Sequence, residues 1–321
     1  MDTIIAYAPY STLIALRSSS REYRKVVDKH LGRIIVTEAG NSTRRLEISS
    51  VHSHLPTLYE GCGLDGEQHI NEILSIATVV DFVSPISAGS LASLLPACRN
   101  ARVIRNRYPT IHQPRASTWP TTLRSLISFT AFKTTVYEGV ERLVINLHLD
   151  PASPSRSMQV IPIPASVRHV VFIVPSMSLP DRPPTPPWDT DEWQPSPLAM
   201  STAQFNNIIL QIANGFSNGP PHVRYTIVGV TKPHAGWFGV GPADGGGTVT
   251  PDRVGADNKS NGHAGNRGII DTVHDRVRNV LVAGKWTEEQ VVAAVKTIQF
   301  MTHEEYSAVM GVEQYALETI Q

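Results

Sequence analysis

One short string in the chain matches a motif that carries catalytic chemistry. Gly215-Phe-Ser217-Asn-Gly219 has the Gly-x-Ser-x-Gly spacing of a hydrolase nucleophile elbow, in which a strand enters the serine and a helix leaves it. In this chain the preceding residues have a helical pattern and Pro220-Pro221 follows at once, so the order is inverted. A glycine C-cap with a Ser-Asn turn accounts for the same residues. A hydrolase that uses Ser217 therefore ranks last among the functions considered.

Two other groups of residues have the chemistry of a metal site and of a phosphate site. His52 and His54 would lie on one face of a strand with Cys62 nearby, but no fourth ligand has suitable spacing. Gly245-Gly246-Gly247 could wrap a phosphate, yet no Lys-Ser, no Lys-Thr and no helix start follows it. We therefore expect no catalytic residue, no metal, no cofactor and no enzymatic activity.

The composition indicates which classes of partner are improbable. Acidic and basic residues are equal in number, 28 each, so no long-range field favours nucleic acid or an anionic membrane. Arg99, Arg102, Arg105 and Arg107 form a small basic cluster, which we interpret as a solvent-exposed face. We expect no binding to nucleic acid or membrane.

Several features favour an intracellular location. No apolar run approaches the roughly twenty residues needed to cross a bilayer. Asp2 and Pro9 are not typical of a secretory signal, and Cys62 and Cys98 are the only cysteines, which fits a reducing compartment. We expect the cytoplasm or the nucleus.

The first 32 residues have the pattern of a small helical module. Pro9 ends a short apolar run, and the apolar residues after it recur at helical steps. Ser19 with Glu22 three residues later is typical of a capping box, which predicts a new helix at that point. We predict three short helices with Arg17, Arg21, Arg24, Lys25 and Lys29 exposed, and an apolar stripe of Leu13, Leu16, Tyr23, Val27 and Leu31.

This module resembles the F-box. The resemblance rests on Ile4-Ile5-Ala6-Tyr7-Ala8-Pro9, on Leu13-Ile14-Ala15-Leu16-Arg17 and on Ser20-Arg21-Glu22-Tyr23-Arg24-Lys25-Val26-Val27-Asp28. The match is incomplete, because the Leu-Pro that opens the family pattern has no counterpart and Tyr23 stands where tryptophan is usual. The resemblance implies docking on the Skp-type linker of a cullin ubiquitin ligase, with an unknown protein substrate held by the rest of the chain. The linker-binding positions that it implies are Pro9, Leu13, Leu16, Tyr23 and Val27.

The rest of the chain, residues 33–321, contains an irregular repeat. Seven segments share an apolar-x-x-apolar-x-apolar core, some of them loosely, and helical patterns precede several of them. Stacked units of this kind predict an α/β fold, specifically an irregular leucine-rich-repeat-like solenoid of helix and strand units. An open α/β sheet is the alternative. The segments are 77–82, 98–103, 123–128, 140–145, 167–172, 223–228 and 295–300.

The local patterns also predict individual elements. We predict strands at 33–37 and 44–51, and helices at 68–76, 90–95, 202–213, 287–295 and 303–310, with Thr287 and Gln290 as a capping box. Residues 271–281 fit a helix or a strand. Long Pro-rich and Gly-rich loops are predicted at 175–200 and 232–268.

These observations favour a protein-protein interaction adaptor, the substrate-recognition subunit of a cullin-type ubiquitin ligase. The first alternative is a stand-alone repeat scaffold whose F-box has decayed.

Overall fold

The protein is an α/β protein whose strands pair mostly in parallel. A computed structural model describes residues 8, 10–39, 45–51, 59–62, 67–107, 119–129, 136–147, 161–174, 197–220, 222–229 and 261–319. The predicted α/β class is confirmed in these residues, whereas the solenoid remains a prediction. Within the described part of the chain, no helix has both the length and the apolar character needed to cross a bilayer.

The chain divides into two compact units. The first contains Met1–Ile145 and Ile161–His169, and the second contains Asn146–Val160 and Val170–Ile320. The predicted boundary after residue 32 falls inside the first unit, because Val27 and Leu31 are fully buried in its core.

The helices begin and end as follows. They are α1 Tyr10–Ser19, α2 Arg21–Leu31, α3 Glu67–Ile76, α4 Ala88–Ala97, α5 Pro197–Asn218, α6 Asn261–Ala283, α7 Glu288–Val295, α8 His303–Met310 and α9 Val312–Thr319.

The strands begin and end as follows; the third of them was not predicted. They are β1 Arg33–Ala39, β2 Arg45–Ser50, β3 Tyr59–Cys62, β4 Val79–Phe82, β5 Val103–Asn106, β6 Ser125–Ser128, β7 Arg142–Asn146, β8 His169–Ile173, β9 Arg224–Val228 and β10 Ile298–Met301. Each of the seven repeated segments contains or enters one strand, β4 to β10.

The strands of the first unit lie in the order β3-β2-β1-β4-β5-β6-β7. β1, β2 and β3 pair antiparallel, while β1 pairs parallel with β4, and β4 to β7 continue in parallel. In the second unit β8, β9 and β10 are neighbours in that order, and β9 and β10 are parallel. Strands β4 to β7 are therefore adjacent in space in the order in which they occur along the chain, and so are β8 to β10.

The same turn recurs before several strands. In each case a backbone amide bonds to the carbonyl three residues earlier, over 3.0–3.3 Å, and the strand begins two residues later, or one residue later in the case of β9. The amide belongs to a buried residue, which is the first apolar position of the repeated core in four of the five turns and the second in the turn at Ala101; its burial explains why that position must be apolar. The five turns close at Ala101, Leu123, Val140, Val167 and Val223.

One face of the first unit's sheet is a continuous apolar core. The register aligns Ile34, Val80, Ile104, Leu126 and Leu143 across five strands, and all five are buried. Helices α3 and α4 add buried leucines and isoleucines to the core of the unit. This face contributes to the stability of the first unit, since burying each aliphatic side chain adds about 1.5 to 3 kcal/mol to the free energy of unfolding.

Several element boundaries differ from the predictions. Helix α5 begins at Pro197 and α6 at Asn261, so residues 197–200 and 261–268 are helical and not loop; the remainder of both predicted loops lies outside the described residues. Pro197 suits a helix start, because the first helical residue has no partner for an amide. Residues 271–281 are helical, and α9 was not predicted.

Candidate functional site

The N-terminal helices α1 and α2 meet at a single capping residue. Ser20 Oγ accepts a hydrogen bond from the Tyr23 amide over 3.1 Å, so the helix is capped by Ser20 and the prediction of a Ser19 cap was wrong by one residue. Ser19 instead bonds back to the Leu16 carbonyl within α1. Arg17 of α1 and Asp28 of α2 form an ion pair of 2.5 Å that fastens the two helices.

The structure divides the predicted linker-binding residues into two classes. Leu13 is 4% exposed and Val27 is 0% exposed, so both lie in the core. Leu16 and Tyr23 are partly exposed. Pro9 lies outside the described residues, as does the first of the three predicted helices. A docking surface on this helix pair would therefore use Leu16 and Tyr23, with Leu13 and Val27 supporting them from inside.

A second site lies on the other face of the first unit's sheet, where three arginines surround one buried carboxylate. Asp81 of β4 and Arg105 of β5 are both fully buried and are ion-paired. Arg107 donates from Nε and Nη2 to the two Asp81 oxygens over 3.2 and 3.1 Å. Arg33 Nη2 approaches Asp81 Oδ2 at 3.8 Å. We call Arg33, Asp81, Arg105 and Arg107 the arginine cluster.

The arginine cluster corrects the prediction of a solvent-exposed basic face. Arg99 and Arg102 are exposed as predicted, but Arg105 is 0% exposed and Arg107 is half-buried. The reason is the strand alternation: Arg105 pairs in register with Asp81, so both side chains leave the sheet on the same face. A charged residue is buried here because its partner is directly opposite on the next strand.

The register shows how positive this face is. Ile35, Asp81, Arg105, Ile127 and Val144 are aligned across β1 and β4 to β7, with Arg33 and Arg142 two residues earlier in their strands. Glu47 is a further acidic side chain described on this face, but it is exposed on β2 and two strands separate it from β5. Three strand spacings separate Glu47 from β5, about 14 Å, and on β1 its register partner Thr37 lies four residues from Arg33, about 13 Å along the strand, so both separations exceed a direct ion pair.

The aromatic ring of Phe129 lies beside the cluster. The guanidinium carbons of Arg105 and Arg107 are 4.8 and 5.9 Å from its centroid, within cation-π range. Burial lowers the pKa of Arg105 to about 10, Asp81 opposes that shift, and Arg33 and Arg107 add to it. Arg105 is therefore charged at neutral pH, and its two cationic neighbours repel it in spite of Asp81.

The second unit has a polar cluster of a different kind around His303. The Val174 carbonyl only accepts, so His303 Nε2 donates to it over 2.8 Å. Tyr315 Oη lies 2.9 Å from Nδ1 and donates to it in the neutral ring. Gly229, at φ +83°, allows this approach, since a Cβ at that position would collide with the imidazole and with the Val174 carbonyl.

A buried carboxylate completes the polar cluster of the second unit. Glu318 is 0% exposed, and its side chain accepts hydrogen bonds from the Tyr306 hydroxyl and from Gln314 Nε2, the latter over 2.7 Å. Asn146 Nδ2 donates to the Glu318 carbonyl over 2.7 Å. Neutral donors from the same unit therefore satisfy this carboxylate.

The structure also places some of the other predicted candidates. Ser217 is exposed within α5, one residue before the helix ends at Asn218, so the strand-to-helix turn of a nucleophile elbow is absent there. Gly219 donates to the Gly215 carbonyl over 2.9 Å, a helical C-terminal bond. His52, His54 and Gly245-Gly246-Gly247 lie outside the described residues. Among the described residues, no three His, Cys, Asp or Glu side chains are grouped to hold a metal ion.

One compositional signal could have pointed to the arginine cluster. From Phe82 to Tyr137 the chain contains seven basic residues and no acidic residue, although the whole chain is neutral. The loop that follows β5 therefore brings no carboxylate of its own, and the first acidic residue after β6 is the exposed Glu138. Asp81 immediately precedes this stretch.

Two comparisons with known proteins give no match on which a function could rest. No protein-family model matches the chain, and no curated protein matches it.

Proposed function

We propose that the protein is a protein-protein interaction adaptor that docks through α1 and α2 on a Skp-type linker of a cullin ubiquitin ligase. The observation that carries the proposal is the helix pair, which folds from the F-box-like residues and leaves Leu16 and Tyr23 partly exposed beside buried Leu13 and Val27. Apolar side chains at the edge of a buried stripe can be covered by a partner without unfolding the module.

The body of the chain would present the surface that holds a protein substrate. Its support is the recurrent turn followed by a short parallel strand, which is the unit that repeat proteins stack. In this proposal the body is the irregular leucine-rich-repeat-like solenoid, the partners are the linker and a protein substrate, and the site of action is the cytoplasm or nucleus. The adaptor itself performs no chemistry.

Co-purification with a Skp-type linker tests the proposal. The test variant is Leu16→Asp with Tyr23→Ala, and the matched control is Thr12→Asp with Lys25→Ala. The control introduces the same aspartate in α1 and truncates an exposed side chain in α2. We expect the wild type and the control to retain the linker and the test variant to lose most of it, because losing two apolar contacts costs about 3 kcal/mol or more.

Thermal melting of both variants shows whether each is folded. Retention of the linker by a folded test variant at the wild-type level would contradict docking through α1 and α2. Failure of the wild type to bind would favour the alternative, a repeat scaffold that acts without a ligase.

A further inference from the structure

We propose that the arginine cluster is a binding site for a phosphate monoester, a ligand class that the adaptor role does not require. The site consists of Arg33, Arg105 and Arg107 around Asp81, with Phe129 beside two of the guanidinium groups. The proposal stands on the sheet face of the first unit and does not depend on linker docking.

The charges of the cluster are unequal. Three guanidinium groups approach a single oxygen, Asp81 Oδ2, and one carboxylate neutralises one of them. A structural ion pair needs only one arginine, and gathering further cations around it is unfavourable in a partly buried site. Counting the described residues, the surplus is close to two positive charges, which matches the charge of about −1.5 to −2 that a phosphate monoester carries at neutral pH.

The exposure of the side chains gives the direction of approach. Asp81 and Arg105 are sealed at 0% exposure, whereas the side chains of Arg33 and Arg107 are 24% and 25% exposed. An anion arriving from solvent would therefore meet Arg33 and Arg107 first, with Arg105 beneath them. Planar guanidinium groups donate in pairs to phosphate oxygens, so two half-exposed arginines suit this ligand.

Two further observations fit an anion between these side chains. Arg33 Nε is buried and has no hydrogen-bond partner in the part of the chain that the structure describes. The stretch from Phe82 to Tyr137, which carries Arg105 and Arg107, contains no acidic residue and so offers no second carboxylate for the surplus charge. A phosphate would supply both the missing acceptor and the missing negative charge.

Isothermal titration of the full chain with inorganic phosphate, at constant ionic strength set with sodium chloride, tests the proposal. The test variants are Arg107→Gln and Arg33→Gln, and the matched control is Arg102→Gln, which removes the same charge from an exposed position outside the cluster. We expect Arg107→Gln and Arg33→Gln to weaken binding about tenfold or more, as losing one charge-assisted hydrogen bond does, and Arg102→Gln to change it little. Arg107→Lys, which keeps the charge, covers the case that Arg107→Gln does not fold; we expect it to weaken binding as well.

Three results would overturn the proposal. They are the absence of phosphate binding to the wild type in the millimolar range, equal weakening by Arg102→Gln and Arg107→Gln, and binding of acetate as tight as that of phosphate. Failure of phosphate binding can be distinguished from failure of linker docking. If both sites exist, the Leu16→Asp, Tyr23→Ala variant should lose the linker but bind phosphate like the wild type.

A second titration identifies the source of the phosphate group. N-acetyl-phosphoserine amide carries the phosphate as a protein side chain would, while inorganic phosphate represents a free ion. Tighter binding of the phosphoserine compound than of inorganic phosphate supports a phosphorylated chain as the ligand, and equal or weaker binding supports free phosphate. Loss of either in Arg107→Gln assigns it to the arginine cluster.

Discussion

The two units of the chain bury polar groups in different ways. In the second unit, Glu318 accepts hydrogen bonds from neutral donors, and His303 donates to one neutral partner and accepts from another. Among the described residues this cluster therefore contains one carboxylate and no surplus cation. In the first unit, three cationic side chains surround Asp81. A buried polar network that is satisfied by its own chain supports the fold, whereas the surplus positive charge of the arginine cluster is unfavourable by itself and is the basis of the proposed phosphate site.

The largest expected effect is on the stability of the first unit. Asp81→Asn removes the one negative charge from three arginines and should lower the free energy of unfolding by about 3 to 5 kcal/mol, since it leaves buried cations uncompensated. Urea denaturation measures the loss. The matched control is Glu141→Gln, whose exposed pair with Arg124 is 3.5 Å long and should be worth at most about 1 kcal/mol.

Phosphate should reduce the stability difference between Asp81→Asn and the wild type. If the cluster binds phosphate, the anion replaces part of the lost charge, and the stability gap between Asp81→Asn and the wild type should narrow in phosphate compared with chloride at equal ionic strength. An unchanged gap, or equal destabilisation by Glu141→Gln, would show that the charge imbalance has no energetic consequence.

The next effect concerns the backbone that positions His303 in the second unit. Gly229 and Gly311 have similar dihedral angles, φ +83° and +81°, but a Cβ at Gly311 meets nothing within 4 Å. Gly311→Ala should therefore cost only backbone strain, about 1 to 3 kcal/mol. Gly229→Ala should cost more, because it also displaces His303 from the Val174 carbonyl.

Thermal unfolding of the two glycine variants measures the difference. Removing His303 first, with His303→Ala, should lower the cost of Gly229→Ala but leave it above that of Gly311→Ala, because the collision with the Val174 carbonyl remains. Equal costs in the wild-type background would contradict the packing of His303 against Gly229.

The smallest expected effect is a pH dependence that belongs to the second unit. Burial lowers the pKa of His274 from 6.5, Asp271 and Asp275 oppose that shift, and Arg278 adds to it. The unfolded chain therefore binds a proton at a higher pH than the folded chain, so stability should fall as the pH drops below 6.5. Arg105 does not titrate there, because its pKa is about 10.

Urea denaturation between pH 7 and pH 5 measures this slope. In His274→Gln the slope should be smaller, since the group that takes up the proton is gone. A slope that is identical in the wild type and the variant would show that His274 makes no contribution.

The sequence predicted the strands well, for a physical reason. Four of the seven repeated segments begin with an apolar residue that the structure buries in a turn, at Leu123, Val140, Val167 and Val223, and the further apolar residues of these segments are buried as well, so the pattern records burial directly. The helix caps at Thr287 and at Ser20 show how accurately the sequence predicts where a helix begins. The capping box of Thr287 and Gln290 is confirmed, whereas two consecutive serines made the start of α2 ambiguous by one residue.

The site was harder to predict than the fold. Arg105 and Asp81 are 24 residues apart in sequence, and only the strand register makes them neighbours. A basic residue in an apolar segment is usually exposed, so the burial of Arg105 depends on a partner that periodicity does not reveal. The partial exposure of Leu16 and burial of Val27 likewise depend on tertiary packing, because both fit the same helical stripe.

The most direct test of the difference between the two units is the effect of phosphate on thermal unfolding. The wild type, Arg107→Gln and Tyr306→Phe would be melted in phosphate and in chloride at equal ionic strength. We predict that phosphate raises the melting temperature of the wild type and of Tyr306→Phe, whose substitution lies in the second unit. Phosphate should not raise the melting temperature of Arg107→Gln. An equal rise in all three proteins, or no rise in the wild type, would contradict it.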